Sequence, residues 1–190
     1  MPRASKAVRR AQIVEGLATL LEHRSYAEAS VAEIAREAGL AGGLVHYHFA
    51  SKREILLALV DRLADSWRDR VRTRQAEVRG PVRRIRALID ATLATGEDAR
   101  PRDVGLWTTL GAEAARSEDV AHAFRGVLRE AQRLLEDDLD ALGIRDPART
   151  ARSLVAAMEG VFRLAALGLV PAGEGADLVH RLVDALVVER

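Results

Sequence analysis

The sequence of 190 residues contains no cysteine, only two lysines among its 29 basic residues, and 4% aromatic residues. Without cysteine, a disulfide framework, thiolate metal sites and a cysteine nucleophile are all excluded. The shortage of lysine, with Lys6 and Lys52 the two present, carries no function by itself. An excess of one charge is missing too, the net charge being +1. Nor is there an apolar run fit for a membrane. The most apolar stretch, residues 154–170, carries Glu159 and Arg163 in its middle, where a bilayer would make both expensive. At i,i+4 on a helix these charges can pair, so a buried helix of a globular protein is expected there. Residues 1–20 lack the apolar segment and cleavage site of a secretory signal. A cytoplasmic protein without membrane contact is the expectation.

What is present is a chain able to build a core. Hydrophobic residues make up 48% and charged residues 30%, a globular composition. The length suits one compact domain, or a small domain joined to a medium one. Apolar residues recur at helical spacing almost everywhere and alternate as in strands almost nowhere. A first helix is predicted over residues 7–23, with Val14, Leu17, Ala18 and Leu21 on one face. A capping box, Ser30 to Glu33, opens a second helix that turns Val31, Ile34, Ala35 and Ala38 inward, and Gly39 stops it. A short third helix follows over 41–49. A second box, Ser51 to Glu54, starts a fourth with the stripe Ile55, Leu56, Leu59, Val60, Leu63 and Trp67. Pro81, Pro101 and Pro147 sit where first helical turns begin. They place helices over 81–95, 102–116, 119–142 and 147–170, with a last one over 175–188. The fold class is all-α, with about nine helices.

Charge is distributed unevenly. Residues 1–60 hold eight Lys/Arg against six Asp/Glu, and the remainder hold 21 against 22. Arg3, Lys6, Arg9 and Arg10 precede the first acid, Glu15. Such a basic arm suits contact with a polyanion and equally suits a solvated tail. The region that follows is more specific. Two short helices joined by the tight turn Gly39-Leu40-Ala41, with another helix packed behind, describe a helix-turn-helix. Val31, Ile34, Ala35, Val45 and Phe49 supply the small core that sets the angle between them. The N-terminal end and outer face of the second helix are left free to enter a major groove. His46, Tyr47 and His48 are side chains of the kind that reach phosphates or base edges. Lys52, in the first turn of the next helix, lies where backbone amides also favour a phosphate.

The string SVAEIAREAGLAGGLVHYHFASKREILLALV, residues 30–60, resembles the tetracycline-repressor (TetR/AcrR) family of transcriptional regulators. Ser-Val-x-x-Ile-Ala, Ala-Gly-Leu, Tyr-His-Phe and Ser-Lys-x-x-Ile-Leu carry the likeness, and the helix from Ile13 to Leu21 with Tyr26 and Ala29 fits it. The resemblance implies a helix-turn-helix DNA-binding domain over residues 1–53 and an effector-binding and dimerisation domain over 54–190. It implies a ligand-responsive regulator, a repressor by the family's default, that binds a palindromic DNA operator as a dimer. The DNA-facing set is then Gly42, Gly43, Leu44, His46, Tyr47, His48 and Lys52, with Lys52 clamping a phosphate, Gly43 allowing close backbone approach, and Phe49 in the core. The chain departs from the family's pattern at Ala41, where Ser or Thr is usual, and at Gly42. Loss of an N-cap side chain costs roughly 1 kcal/mol. Direct base readout is therefore expected to be thin, with the recognition helix ordering fully on DNA and specificity leaning on Tyr47, His46 and DNA shape.

For the sensing half, Trp67, Trp107, His122, Phe124, Met158 and Phe162 lie on helices expected to converge. Gly105, Gly111 and Gly160 would leave space, and Glu159 and Arg163 would serve as polar handles. Each is equally readable as core, but together they describe an apolar cavity for a small-molecule effector of unnamed identity. The stretch from Trp107 through Glu113 to Arg116 loosely resembles the effector domain of the choline-responsive branch of the family. The two C-terminal helices are greasy enough to need cover, either from the chain's own core or by a homodimer formed through both; the dimer is the favoured reading. No enzyme is expected. His46 and His48 diverge at i,i+2, and the metalloprotease, phosphate-loop and nucleophile-elbow motifs are all missing. Asp137, Asp138 and Asp140 read as a solvated helix end, and neither metal nor cofactor is expected. The alternative is a helical ligand-binding or interaction protein without operator recognition, which the bare Ala41-Gly42-Gly43 keeps open.

Overall fold

The computed structural model describes residues 5–93, 101–171 and 174–188. Among them the chain forms nine α-helices and no strand: α1 (Lys6–Leu21), α2 (Val31–Glu37), α3 (Gly42–His48), α4 (Lys52–Ala76), α5 (Pro81–Leu93), α6 (Pro101–Ala114), α7 (Glu118–Ala141), α8 (Pro147–Ala166) and α9 (Gly175–Val188). Arg3 and residues 94–95, which carried expectations above, lie outside the described residues.

Local chemistry explains most of the boundaries. Ser5 caps α1 by accepting from the Val8 N–H. The Ser30 box is complete: Ser30 Oγ accepts from the Glu33 N–H at 3.2 Å, and the Glu33 carboxylate accepts from the Ser30 N–H at 3.0 Å. That backbone hydrogen bond, ahead of the one from the Ser30 hydroxyl, holds the Glu33 carboxyl below its usual range. Gly39 ends α2 at φ +65°, in the left-handed region that only glycine enters freely. Asp146 caps α8 through the Arg149 N–H, with Pro147 in the first turn. The predicted α8 ran to residue 170. It stops at Ala166 because Gly168 turns left-handed and the Leu169 N–H closes back on the Leu164 carbonyl.

The chain divides into two compact units. The first joins Met1–Leu63 with Gly105–Phe124. In it α1 packs on α2 and α3, and α2 packs on α3. Its core is built from Ile13, Leu17, Ile34, Val45, Phe49, Ile55 and Leu59, with Leu106, Leu110 and Val120 buried among them. The compact unit around the helix-turn-helix is thus larger than residues 1–53. The second unit joins Ala64–Val104 with Arg125–Arg190. There α5, α8 and α9 pack on one another around Ile85, Leu88, Ile89, Leu154, Met158, Val179 and Val183. The acidic triplet near the end of α7 is not simply solvated. Asp138 is 5% exposed and takes the Arg84 guanidinium, whose Nε stands 2.7 Å from Oδ1. Nor is α8 a fully buried helix: Ala151, Leu154, Met158, Val161 and Phe162 face inward, while Ala156, Gly160, Arg163 and Leu164 are exposed.

Candidate nucleic-acid interface

The second helix of the helix-turn-helix is held by one face only. Val45 and Phe49 are 1% and 2% exposed and fix α3 on the core. The outer side carries His46, exposed, and Tyr47, 77% exposed, a large aromatic left in solvent. At the N-terminal end Ala41 offers no side-chain cap, and Gly42 and Gly43 are exposed, with nothing within 4 Å of where a Cβ would stand. Leu44 is half-buried. The result is a helix end where bare peptide groups meet solvent beside one phenol and one imidazole. Those groups can hydrogen-bond phosphates and base edges in a major groove.

Two side chains expected to face DNA, His48 and Lys52, stand elsewhere, and Arg10, from the arm that suited a polyanion or a solvated tail equally, has partners within the fold. His48 is 8% exposed, its ring lies edge-on to Tyr47 at 5.1 Å, and its Nδ1 is buried without a hydrogen-bond partner among the described residues. On a helix of seven residues, a side chain one position from the outer face is already turned toward the core. Lys52, expected to clamp a phosphate, donates from Nζ to the carbonyls of Tyr26 at 2.8 Å and Ala29 at 2.7 Å. Arg10 of the basic arm lies with its guanidinium carbon 3.9 Å from the Phe49 ring centre, hydrogen-bonded to the His48 carbonyl and to Glu54. The sequence reading missed both arrangements, since a cation that caps backbone carbonyls leaves no residue pattern. It missed Arg53 as well, which pairs with Asp119 at 2.7 Å and donates to Ser117 Oγ at 3.2 Å. Beside them, burial, with the nearby Glu113 charge adding to it and Arg53 opposing, raises the Tyr26 hydroxyl above its ordinary pKa.

Comparison with known proteins agrees with this geometry. Residues 13–59 match the tetR family of bacterial regulatory proteins, and residues 81–188 match the C-terminal domain of BetI-type transcriptional repressors. The chain belongs to the TetR family. It is similar to the HTH-type transcriptional regulator BetI of Rhizobium meliloti (strain 1021), 29% identical over 164 residues that cover 85% of this chain and 80% of the relative. In fold it is similar to a TetR-family transcriptional regulator from Rhodococcus sp., with a TM-score of 0.83 at 21% identity, covering 94% of this chain and 98% of that one. It is likewise similar to a transcriptional regulator from Saccharomonospora viridis in complex with choline, with a TM-score of 0.75 at 20% identity, covering 97% of each chain. A TetR-family chain is a DNA-binding transcriptional regulator responsive to a small-molecule effector and dimeric in use. It is not an enzyme. Among the described residues, no helix is long and apolar enough to cross a membrane.

The residues expected around an effector in this TetR chain fall into both units. In the first, Trp107 and Phe124 form an edge-to-face pair at 5.5 Å, packed against the core of the DNA-binding unit. His122 is exposed rather than lining an interior, and Gly105 is exposed too. In the second, Trp67, Met158 and Phe162 are buried, and the Trp67 indole donates to Thr92 Oγ1 at 3.0 Å. Gly160 opens to solvent and leaves no interior space. Glu159 is half-buried and, among the described residues, joined to Arg163 by neither hydrogen bond nor ion pair. Burial raises its carboxyl above the ordinary range, against the nearby charge of Arg163. A groove of about 390 Å³ between α8 and α9 is lined by Ser153, Leu154, Leu182 and Leu186, among others, and by none of the expected effector residues.

Proposed function

We propose that the chain represses transcription in the cytoplasm by placing two copies of α3 in successive major grooves of a near-palindromic operator, about 34–36 Å apart. Gly42, Gly43, Leu44, His46 and Tyr47 make the contacts in this reading; His48 is withdrawn because it faces the core. The observation that carries the reading is the exposed Tyr47 beside the bare Gly42-Gly43 end of a helix whose other face, Val45 and His48, is buried. The second copy is joined through α8 and α9. In support, Leu164, Leu167, Leu169, Leu178 and Leu182 are all at least 40% exposed, and all lie on α8, α9 or the turn between them.

The effector site of this reading lies in the second unit, among Trp67, Met158 and Phe162, with Glu159 as its polar anchor. A half-buried carboxylate with no hydrogen-bond or ion-pair partner among the described residues suits a cation, and the similar regulator from Saccharomonospora viridis was solved with choline. Effector and operator binding then exchange roughly 1–3 kcal/mol. The test is to select bound duplexes from random DNA and to follow their affinity for wild type and Tyr47→Ala, with and without choline. A palindrome whose affinity falls in Tyr47→Ala and shifts with choline is the expected result. Absence of any selected sequence would leave the alternative, a helical binding protein without operator recognition.

A further inference from the structure

Three consecutive side chains in the first turn of α4 reach three separate segments. Lys52 Nζ hydrogen-bonds the Tyr26 and Ala29 carbonyls at 2.8 and 2.7 Å and stands 4.4 Å from the Tyr26 ring centre. Arg53 pairs with Asp119 at 2.7 Å. Glu54 accepts from the Ala50 N–H at 2.8 Å and pairs with Arg10 at 3.3 Å. Arg10 in turn stacks on the Phe49 ring and donates to the carbonyl of His48, the last residue of α3.

We propose that Arg10, Glu54 and Lys52 are positioning residues for the recognition helix, and that neither cation grips a phosphate. The α3 helix has seven residues and no side-chain cap at its start, too little to persist by itself. Its C-terminal end is the one that is held. There Arg10 satisfies an orphan carbonyl, places a positive charge at the negative end of the helix, and is itself steered by Glu54. Lys52 does the same for the loop before α2. An ammonium has three donors, and three carbonyls surround this one, that of Ala27 standing at 3.4 Å. A phosphate would have to displace carbonyls that hold the loop in place. This inference rests on the operator-binding reading and departs from the role that family resemblance implied for Lys52.

The experiment compares charge-keeping and charge-removing variants against a duplex selected by the wild-type protein, with affinity followed over a salt series. A lost phosphate contact reduces the slope of log K against log salt by about 0.9, doubled in a dimer. Positioning predicts that Arg10→Lys and Lys52→Arg bind about tenfold more weakly with an unchanged slope. Glu54→Gln weakens binding similarly although it removes a negative charge, and Arg10→Lys with Glu54→Gln adds little to either alone. Wild-type affinity in both charge-keeping variants, with shallower slopes in Arg10→Gln and Lys52→Gln, would overturn the proposal. A second readout needs no DNA. In Arg10→Gln, amide exchange over residues 45–49 quickens about tenfold while α1 stays protected. Unchanged exchange there would also overturn it. Should the wild type select no sequence, operator binding itself is in question, and the exchange measurement still decides the role of Arg10.

Discussion

A Cβ added at Gly16 would stand 2.8 Å from the Ile34 carbonyl oxygen and 3.0 Å from the Ala38 nitrogen, both backbone atoms of the α2 segment. Neither can swing away as a flexible side chain would, so α1 and α2 must separate. Gly16→Ala is therefore expected to destabilise by about 1–3 kcal/mol despite the better helix propensity of alanine, and urea unfolding followed by circular dichroism measures it. An alanine variant as stable as wild type would show that the two helices part easily. Glu159 has the opposite sign. Its carboxyl is raised by burial, so the charged form is disfavoured in the fold above that raised value, and the penalty fades as the pH falls toward its unfolded value. Glu159→Gln should raise the melting temperature at pH 7, with the gain shrinking as the pH falls toward about 4.5. A stabilised variant that also loses its choline response would identify Glu159 as a group kept for binding at a cost to the fold.

At the scale of elements, α3 is a helix with one firm end. Ala41→Ser supplies the missing cap and should add about 1 kcal/mol of local stability, seen as slower amide exchange over residues 42–46. If the helix completes its ordering only on DNA, the same substitution narrows the difference in exchange between free and operator-bound protein. Equal protection of residues 41–49 in both states of the wild type would contradict that ordering. The α5–α9 contact offers a second element-scale measurement. His180 Nε2 lies 3.2 Å from Asp90 Oδ1, and this interaction, ahead of the opposing effect of burial, raises the imidazole above its ordinary value. The stabilisation is full below the unfolded pKa of about 6.5 and is lost as the pH rises through the folded one. The gap in melting temperature between wild type and His180→Gln is therefore expected to be widest below about pH 6.5 and to narrow as the pH rises above it. A constant gap would mean the ring serves by packing alone.

For the whole molecule, what was legible in the sequence was whatever is written locally. Ser30 and Glu33 meet because they are three residues apart, Gly39 turns because its own φ requires it, and the proline starts need no distant partner. The candidate site was legible only as a run of polar side chains: that Tyr47 and His46 are exposed while His48, one position on, is buried could not be sorted without knowing how α3 packs on the core. Lys52 read as a DNA cation because the carbonyls it meets leave no residue pattern, and Trp107 read as pocket because the core it packs against is built largely from residues 13–63, far from it in the chain. The apolar face on α8 and α9 was legible as greasiness, and the structure divides it into an inner stripe and an exposed one. If the exposed stripe joins two copies, Leu178→Asp with Leu182→Asp changes only side chains that are 45% and 48% exposed, so each chain should keep its helices. Sedimentation should then report a monomer. Operator affinity should fall by about a hundredfold or more, because the second head no longer binds at the effective concentration that the first one gives it. A double variant that remains a dimer would place the interface elsewhere, whereas a monomer with undiminished affinity would mean that one α3 alone reads the site.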